Sequence, residues 1–420
     1  MARILYSLLF YLLLPFILLR LLYRAWKAPA YAKRWLERFG WVRVMPQRQQ
    51  GIWVHAVSVG ETIAAVPMIK ALQKRFPQMP IMVTTMTPTG SERVQAMLGD
   101  SVGHVYAPYD TPGAVKRFLR RLKPRILVVM ETELWPNTLH YARRSGVPVV
   151  LANARLSERS ARGYQRVAFL ARPMLNNLSL VAAQGAADAG RFRSLGLPEE
   201  RVQVTGSIKF DLQPKTEQLA EGQALKQDWG PRFVWVAAST HDGEDELLLQ
   251  AHQKLCQLQA EALLILVPRH PERFGAVAEL VKKQGFAMTR RSSGSPVAAD
   301  TQVLVGDTMG EMMTFFAAAD AAFVGGSLIE RGGHNPLEPA SLGLPVLMGP
   351  HVFNFQEICN QLSGEGGLIY VGSAENLFDR LQELAEDQAL RARIGGCAKA
   401  VVDRNRGALD RLVDLVARQL

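Results

Sequence analysis

From residue 50 onward, short apolar runs alternate with longer stretches in which apolar positions recur every three or four residues. The first pattern predicts a buried strand and the second an amphipathic helix. Residues 51–57 (GIWVHAV) form the first predicted strand, closed by Ser58-Val59-Gly60. Ala65, Met68, Ile69 and Leu72 then share one helical face, and Pro67 either kinks that helix or lies near its start. Further strands are predicted at 81–85, 126–130, 147–152, 181–183 and 202–205, with helices at about 91–98 and 114–122. The second half repeats this with strands at 233–238, 263–268, 303–305, 321–324 and 346–347. Its helices fall at 245–258, about 272–283, near 309–318 and 336–341, and the chain after 374 is mostly helical.

Apolar strands joined by helices describe a parallel sheet covered on both faces. Two such sets in 420 residues predict two α/β domains. The stretch 213–231, polar with little hydrophobic pattern beyond a short helix, is the predicted linker, so the domains run 27–212 and 232–420 behind an N-terminal segment, 1–26. Two parallel α/β domains facing each other leave a crevice lined by the carboxyl ends of their strands, where ligands of open sheets bind.

Residues 4–19 (ILYSLLFYLLLPFILL) are apolar or aromatic except Ser7, and Arg20 closes the run. Sixteen residues fall short of the ~20 of an unstrained transmembrane helix, and Pro15 would kink it. A short anchor, a helix lying in the interface and a cleaved signal peptide compete. Arg24 and Lys27 ahead of Ala28-Pro29-Ala30 count against cleavage. The expectation is an uncleaved membrane anchor, spanning or in-plane, with one Arg before the run and many after it placing the body in the cytoplasm.

Composition changes the picture only where it is uneven. With 48% hydrophobic and 21% charged residues, the chain is neither collagenous, low-complexity nor disordered. Its net charge of +11 is concentrated at the start: residues 1–50 carry nine Lys or Arg against Glu37 alone, while the other 370 carry 40 basic and 37 acidic groups. That is a basic collar for an anionic surface and argues against a nucleic-acid-binding body. Cys256, Cys359 and Cys397 lack ligand-like spacing, so neither a disulfide framework nor a Cys-based zinc site is expected.

Polar and glycine-rich residues concentrate where the strands end. Ser58-Val59-Gly60-Glu61-Thr62 opens a helix directly after a strand, which places Glu61 either as a functional carboxylate or as a first-turn complement to the helix dipole. In Met130-Glu131-Thr132-Glu133-Leu134-Trp135-Pro136, one glutamate faces the crevice while the other caps the helix starting at Pro136. Lys209, in Gly206-Ser207-Ile208-Lys209-Phe210-Asp211, is a candidate for a phosphate or carboxylate, with a plain surface lysine as its alternative. His241 stands out in Ser239-Thr240-His241-Asp242-Gly243-Glu244, whose Ser, Thr and Asp content suits capping. Arg269, at a strand tip after Pro268, is a candidate oxyanion clamp. Asp307-Thr308-Met309-Gly310-Glu311 opens another helix. The fullest segment runs from Gly325-Gly326 through Gly332-Gly333-His334-Asn335-Pro336-Leu337-Glu338. Asn335 suits an N-cap, Pro336 the first helical turn and Glu338 a ribose diol, and the helix start would offer its amides to a nucleotide phosphate. No P-loop, H-E-x-x-H or G-x-S-x-G motif occurs.

These segments together resemble the 3-deoxy-D-manno-octulosonic acid (Kdo) transferases of Gram-negative lipopolysaccharide assembly. The resemblance rests on KAPAYAKRWLERFG, HAVSVGET, VTTMTPTGSERV, METELWPN, NARLSERS, TGSIKFD, VPRHPERF, GDTMGE and FVGGSLIERGGHNPLEPA, and so covers nearly the whole chain. It implies a GT-B glycosyltransferase of two Rossmann-like domains, the first binding acceptor and the second donor. The implied reaction moves Kdo from CMP-β-Kdo to lipid IVA with inversion, without a cofactor and without a metal. Partners would be CMP-Kdo, lipid IVA and the phospholipid surface of the bacterial inner membrane, on its cytoplasmic face, and no nucleic acid. Glu61 carries over as general base. Pro268, Arg269, Met309, Gly310, Glu311, Asn335, Pro336, Leu337 and Glu338 carry over as CMP contacts. Glu131 is expected to orient the acceptor or Glu61, and Lys209 to contact charged groups of donor or acceptor. The competing functions are a membrane-associated transferase using a UDP-sugar, a GT-B-like nucleotide-sugar epimerase and a noncatalytic lipid-binding protein.

Overall fold

In the computed structural model the described residues are 2–212 and 214–420, so position 1 of the predicted anchor and position 213 of the predicted linker lie outside them. The chain forms two compact units. One runs to Asp211 and is completed by Arg406–Leu420, and the other is Leu212–Asn405.

The first unit is built on seven parallel strands: β1 (Ile52–His55), β2 (Ile81–Thr85), β3 (Gly103–Tyr106), β4 (Ile126–Met130), β5 (Val149–Ala154), β6 (Leu180–Ala183) and β7 (Val202–Val204). Their order is β3-β2-β1-β4-β5-β6-β7, with Ile52 level with both Ile81 and Ile126. Strands β1, β2, β4, β5 and β6 are buried end to end, as strands covered on both faces must be. Because β1 and β4 are neighbours, the chain reverses its winding direction between them, which opens a ligand crevice at their carboxyl ends.

The second unit repeats the plan with β8 (Val234–Thr240), β9 (Leu263–Pro268), β10 (Met288–Arg290), β11 (Val303–Val305), β12 (Ala321–Val324), β13 (Val346–Met348) and β14 (Leu368–Tyr370). The order β10-β11-β9-β8-β12-β13-β14 puts its reversal between β8 and β12. Each sheet carries one register shift beside a positive-φ residue. Asn153 (φ 51°) marks it in β5 and Ser239 (φ 58°) in β8.

Two boundaries differ from the sequence reading. The short helix expected in the linker stretch, Thr216–Asp228, belongs to the second unit, packed so closely that a Cβ on Gly222 would lie 2.4 Å from the Thr314 carbonyl oxygen. Its low apolar content reflects this narrow contact, made where glycine leaves room. The chain end, assigned by pattern to the second domain, returns to the first. Helix Ala408–Ala417 buries Leu412 and Val416 in the same core as Ala65 and Ile69. Asp211 receives the turn, accepting from the amides of Gly407 (2.6 Å) and Leu409 (2.7 Å).

The N-terminal apolar run is one helix, Ala2–Lys27, long and apolar enough to cross a membrane. Pro15 and Pro67 both sit inside continuous helices. All three cysteines are free thiols.

Candidate active site

In the first unit, Glu61 lies in the first turn of helix Val59–Arg75, which starts as β1 ends. Ser58 caps the helix, accepting from the Glu61 amide (3.2 Å), and its hydroxyl donates back to Glu61 Oε1 (2.6 Å). Val57 N donates to Oε2 (2.8 Å). This reciprocal cap fixes the carboxylate, and each oxygen keeps a second lone pair. Burial pushes Glu61 above the ordinary carboxylate value, and the charge of Glu131 adds to it against the hydrogen bonds from Ser58 and Val57.

Glu131 follows β4, the neighbour of β1, and occupies the left-handed region (φ 52°). A non-glycine residue held there carries a conformational cost of about 1–3 kcal/mol, of the kind concentrated at functional sites. Burial raises the Glu133 carboxyl as well, with the charges of Glu61 and Glu131 contributing, while the Trp135 indole N–H donates to it (2.9 Å). Burial lowers the Lys209 ammonium, which the charge of Glu131 partly offsets and that of Arg155 reinforces. The sequence candidates Glu61, Glu131 and Lys209 are thus brought together on one unit. Lys209 is placed there by the β5 bulge: Asn153 Oδ1 accepts from the Ile208 amide (3.2 Å), at the start of the short turn Ile208–Phe210.

Neither glutamate caps the helix Pro136–Arg144, contrary to the sequence reading. The cap comes from Asp110, whose buried carboxylate accepts from the amides of Asn137 (2.9 Å) and Thr138 (2.7 Å) and from the Thr138 hydroxyl (2.7 Å). Both glutamates are half-buried in the turn after β4. Below them, His55 is fully buried and held neutral, its pKa pushed down to about 3 by burial, with its ring edge-on to Trp135 at 4.6 Å.

In the second unit the candidates again follow adjacent strands: Met309–Glu311 after β11, Arg269 after β9, His241 after β8 and Gly325–Glu338 after β12. They therefore share one edge of the sheet. The first Gly-Gly pair is not an open phosphate cradle. The amides of Gly326 (2.7 Å), Ser327 (3.1 Å), Leu328 (3.1 Å) and His241 (3.0 Å) all donate to the fully buried carboxylate of Glu244, to which the sequence reading gave no role. Gly325 is required by contact, since a Cβ there would lie 2.6 Å from the Ser239 carbonyl oxygen. With the loop so braced, His334 Nε2 meets His241 Nε2 at 2.8 Å and the two rings stack at 5.1 Å. One ring must be donor and the other acceptor, so the pair holds a neutral contact. Burial lowers both, His334 to about 4, and Arg269 lies close enough to contribute.

Asn335 fixes the next turn, its Oδ1 accepting from Leu337 N (3.1 Å) and its Nδ2 donating to Glu338 Oε1 (3.1 Å). Burial raises the Glu338 carboxyl against that hydrogen bond and the charge of Arg269. The Leu337 amide predicted to be free for phosphate is thus already bonded within the loop. Glu311 is the opposite case. Burial works against its ionisation, yet hydrogen bonds from Arg291 (2.6 and 3.0 Å) and Thr308 outweigh it and hold the carboxyl below its ordinary value. Gly310, at φ 90°, accepts through its carbonyl from Gln218 (2.7 Å) of the helix once read as linker. Met309 is exposed (68%) beside it. Among the described residues, no group of three or more His, Cys, Asp or Glu is placed to hold a metal ion.

Residues 33–212 match the family model described as 3-deoxy-D-manno-octulosonic-acid transferase, and residues 233–401 match glycosyl transferases group 1. A 3-deoxy-D-manno-octulosonic acid transferase of Haemophilus influenzae is 44% identical over 99% of this chain and 98% of its own length. One from Bordetella pertussis is 38% identical, covering 86% of each chain. Among solved structures, MurG of Acinetobacter baumannii superposes with a TM-score of 0.58 at 13% identity, over 88% of this chain and 99% of that one. The UDP-GlcNAc 2-epimerase of Neisseria meningitidis gives 0.56 at 14% identity with the same coverage. The two structures share the two-unit fold.

Proposed function

Because the chain belongs to the 3-deoxy-D-manno-octulosonic acid transferase family, and is a glycosyltransferase of GT-B fold acting in lipopolysaccharide biosynthesis, we propose its donor, acceptor and base. The donor is CMP-β-Kdo and the acceptor lipid IVA, at the cytoplasmic face of the bacterial inner membrane. The observation that carries the reading is the gathering of Glu61, Glu131 and Lys209 at the β1/β4 reversal of the first unit.

In this reading Glu61 takes the proton of the acceptor hydroxyl as its oxygen bonds to the anomeric carbon of Kdo. The bond from that carbon to the CMP phosphate breaks on the opposite face, CMP leaves with the electron pair, and the configuration inverts. A raised pKa suits a base, because a carboxylate that binds its proton more tightly is the stronger acceptor. Glu131 keeps Glu61 electrostatically basic and helps orient the acceptor, while Lys209 meets charged groups of donor or acceptor. The donor is held on the second unit. Arg269 pairs with the phosphate through its planar fork, and Glu338, with Asn335 setting its rotamer, accepts from the ribose diol. Pro268, Met309, Gly310, Glu311, Pro336 and Leu337 complete the CMP contacts. No cofactor or metal takes part, the charge on the leaving phosphate being met by Arg269.

The test is CMP release by purified protein from CMP-Kdo, with and without lipid IVA, beside Glu61→Ala. Acceptor-dependent release that collapses in the variant is expected. Undiminished release in Glu61→Ala would remove the base assignment, and release only from a UDP-sugar would remove the donor.

A further inference from the structure

The helix Ala2–Lys27 does not stand clear of the first unit. Its protected positions include Arg3, Ser7, Phe10, Leu14, Ile17 and Leu21, with Ser7 and Leu21 buried and the others half-buried, a stripe with helical period that runs along one side. From Arg3 to Leu21 that contact covers about 27 Å at 1.5 Å per residue, which is nearly the thickness of a bilayer core.

The contact is specific as well as long. Asn137, fully buried, donates from Nδ2 to the Ser7 hydroxyl (3.0 Å) and to the Asp110 carbonyl (2.7 Å), and its Oδ1 accepts from Arg3 (2.8 Å). Ser7 is itself buried and donates to the Arg3 carbonyl (2.8 Å). Further along, the Gly113 amide donates to the Tyr11 hydroxyl (3.4 Å), and Phe10 packs against Tyr109. A helix crossing the bilayer needs lipid on every side. Peeling this one away would break the hydrogen bonds that Asn137 makes with Arg3 and Ser7 and lose the packing of the helix against the unit.

The side facing away from the unit is the reverse of this stripe. Leu5 (65%), Leu12 (70%) and Phe16 (66%) are exposed along its length, and Trp26 (80%) at its end. Cations close both ends. Arg3 and Lys116 flank the Tyr141 ring at 5.0 and 4.8 Å, and Lys27 and Arg24 lie over Tyr23 and Tyr31 at 4.8 and 5.4 Å. An apolar band between cationic ends fits an anionic leaflet entered from one side. We infer that the N-terminal helix is an in-plane anchor: clamped to the first unit through Ser7 and Asn137, it sinks its outer face among the acyl chains of one leaflet and leaves both chain ends on the same side of the membrane. This rests on the membrane-associated reading above, and the experiment separates the two.

Full-length protein carrying a short epitope ahead of Met1 and another after Leu420 is first floated with vesicles of phosphatidylethanolamine and phosphatidylglycerol. It is then digested with protease in right-side-out and in inverted inner-membrane vesicles. The expected result is flotation, with both epitopes lost from inverted vesicles and both protected in right-side-out ones. Loss of the N-terminal epitope only from right-side-out vesicles, with the C-terminal one lost only from inverted ones, would overturn the in-plane anchor and leave membrane association standing. Failure to float would overturn both.

Discussion

Glu61 braces the Ser58 cap of its helix and, in the proposed reaction, serves as the base, and the two tasks pull its proton affinity in opposite directions. Hydrogen bonds from Ser58 and Val57 favour the ionised form, while burial and the nearby charge of Glu131 disfavour it and prevail. A base works only when ionised, so activity must fall as pH drops through a pKa that lies above the ordinary carboxylate value. The acid limb of kcat against pH is therefore displaced upward. Glu131→Gln removes the like charge and keeps the shape, so the limb should move to lower pH. Glu61→Gln should remove the limb and lower kcat by roughly 10²–10⁴-fold, the usual contribution of a positioned base. An unmoved limb in Glu131→Gln would separate the two glutamates. The sequence made these residues visible because each is a carboxylate directly after an apolar run. It hid Asp110 and Glu244, whose partners lie 27 and 82 residues away and are known only once the chain is folded.

At the scale of elements, periodicity located the buried strands and the helices between them, since burial on both faces demands continuous apolar runs. It missed the edge strands Gly103–Tyr106, Met288–Arg290 and Leu368–Tyr370 and the helices Glu158–Arg166, Ala168–Leu175, Ala186–Ser194 and Gln356–Gly364, of which Glu158–Arg166 buries only Ala161 and so carries almost no apolar signal. The supposed linker failed for a related reason: helix Thr216–Asp228 buries a glycine, and the contact is made of backbone approach. Gly222 therefore tests whether that helix belongs to the unit. A Cβ there meets Thr314 and Ala317 within 2.5 Å, and because the obstacle includes main chain it cannot swing aside. Gly222→Val should destabilise the second unit by about 1–3 kcal/mol, the usual cost of overpacking, and lower its melting temperature in calorimetry. Since Gln218 of the same helix holds the Gly310 carbonyl, CMP affinity should weaken with it. Unchanged melting would return the segment to the status of a linker.

For the whole molecule, the chain enters the second unit after Asp211 and returns at Arg406, so one unit is inserted into the other near its end. Hydrophobic pattern shows that a helix is amphipathic but not which sheet it covers, and for that reason the return could not be read from sequence. Its consequence is that the first unit is incomplete without the last fifteen residues. Helix Ala408–Ala417 buries Leu412, Val413, Leu415 and Val416 in the first unit's core, Arg411 donates to the Thr205 carbonyl (2.8 Å), and Asp211 binds two amides of the turn. Burying one such side chain contributes about 1.5–3 kcal/mol, so losing four approaches the full stability of an ordinary domain, about 5–15 kcal/mol. A chain ending at Asn405 should therefore show two separated melting transitions. The first unit would melt early and bind lipid IVA poorly, while the second keeps its transition and its affinity for CMP, because none of its core residues is removed. Loss of CMP binding together with acceptor binding would mean that the helix supports both units. Full retention of both would mean that the first unit closes its core without it.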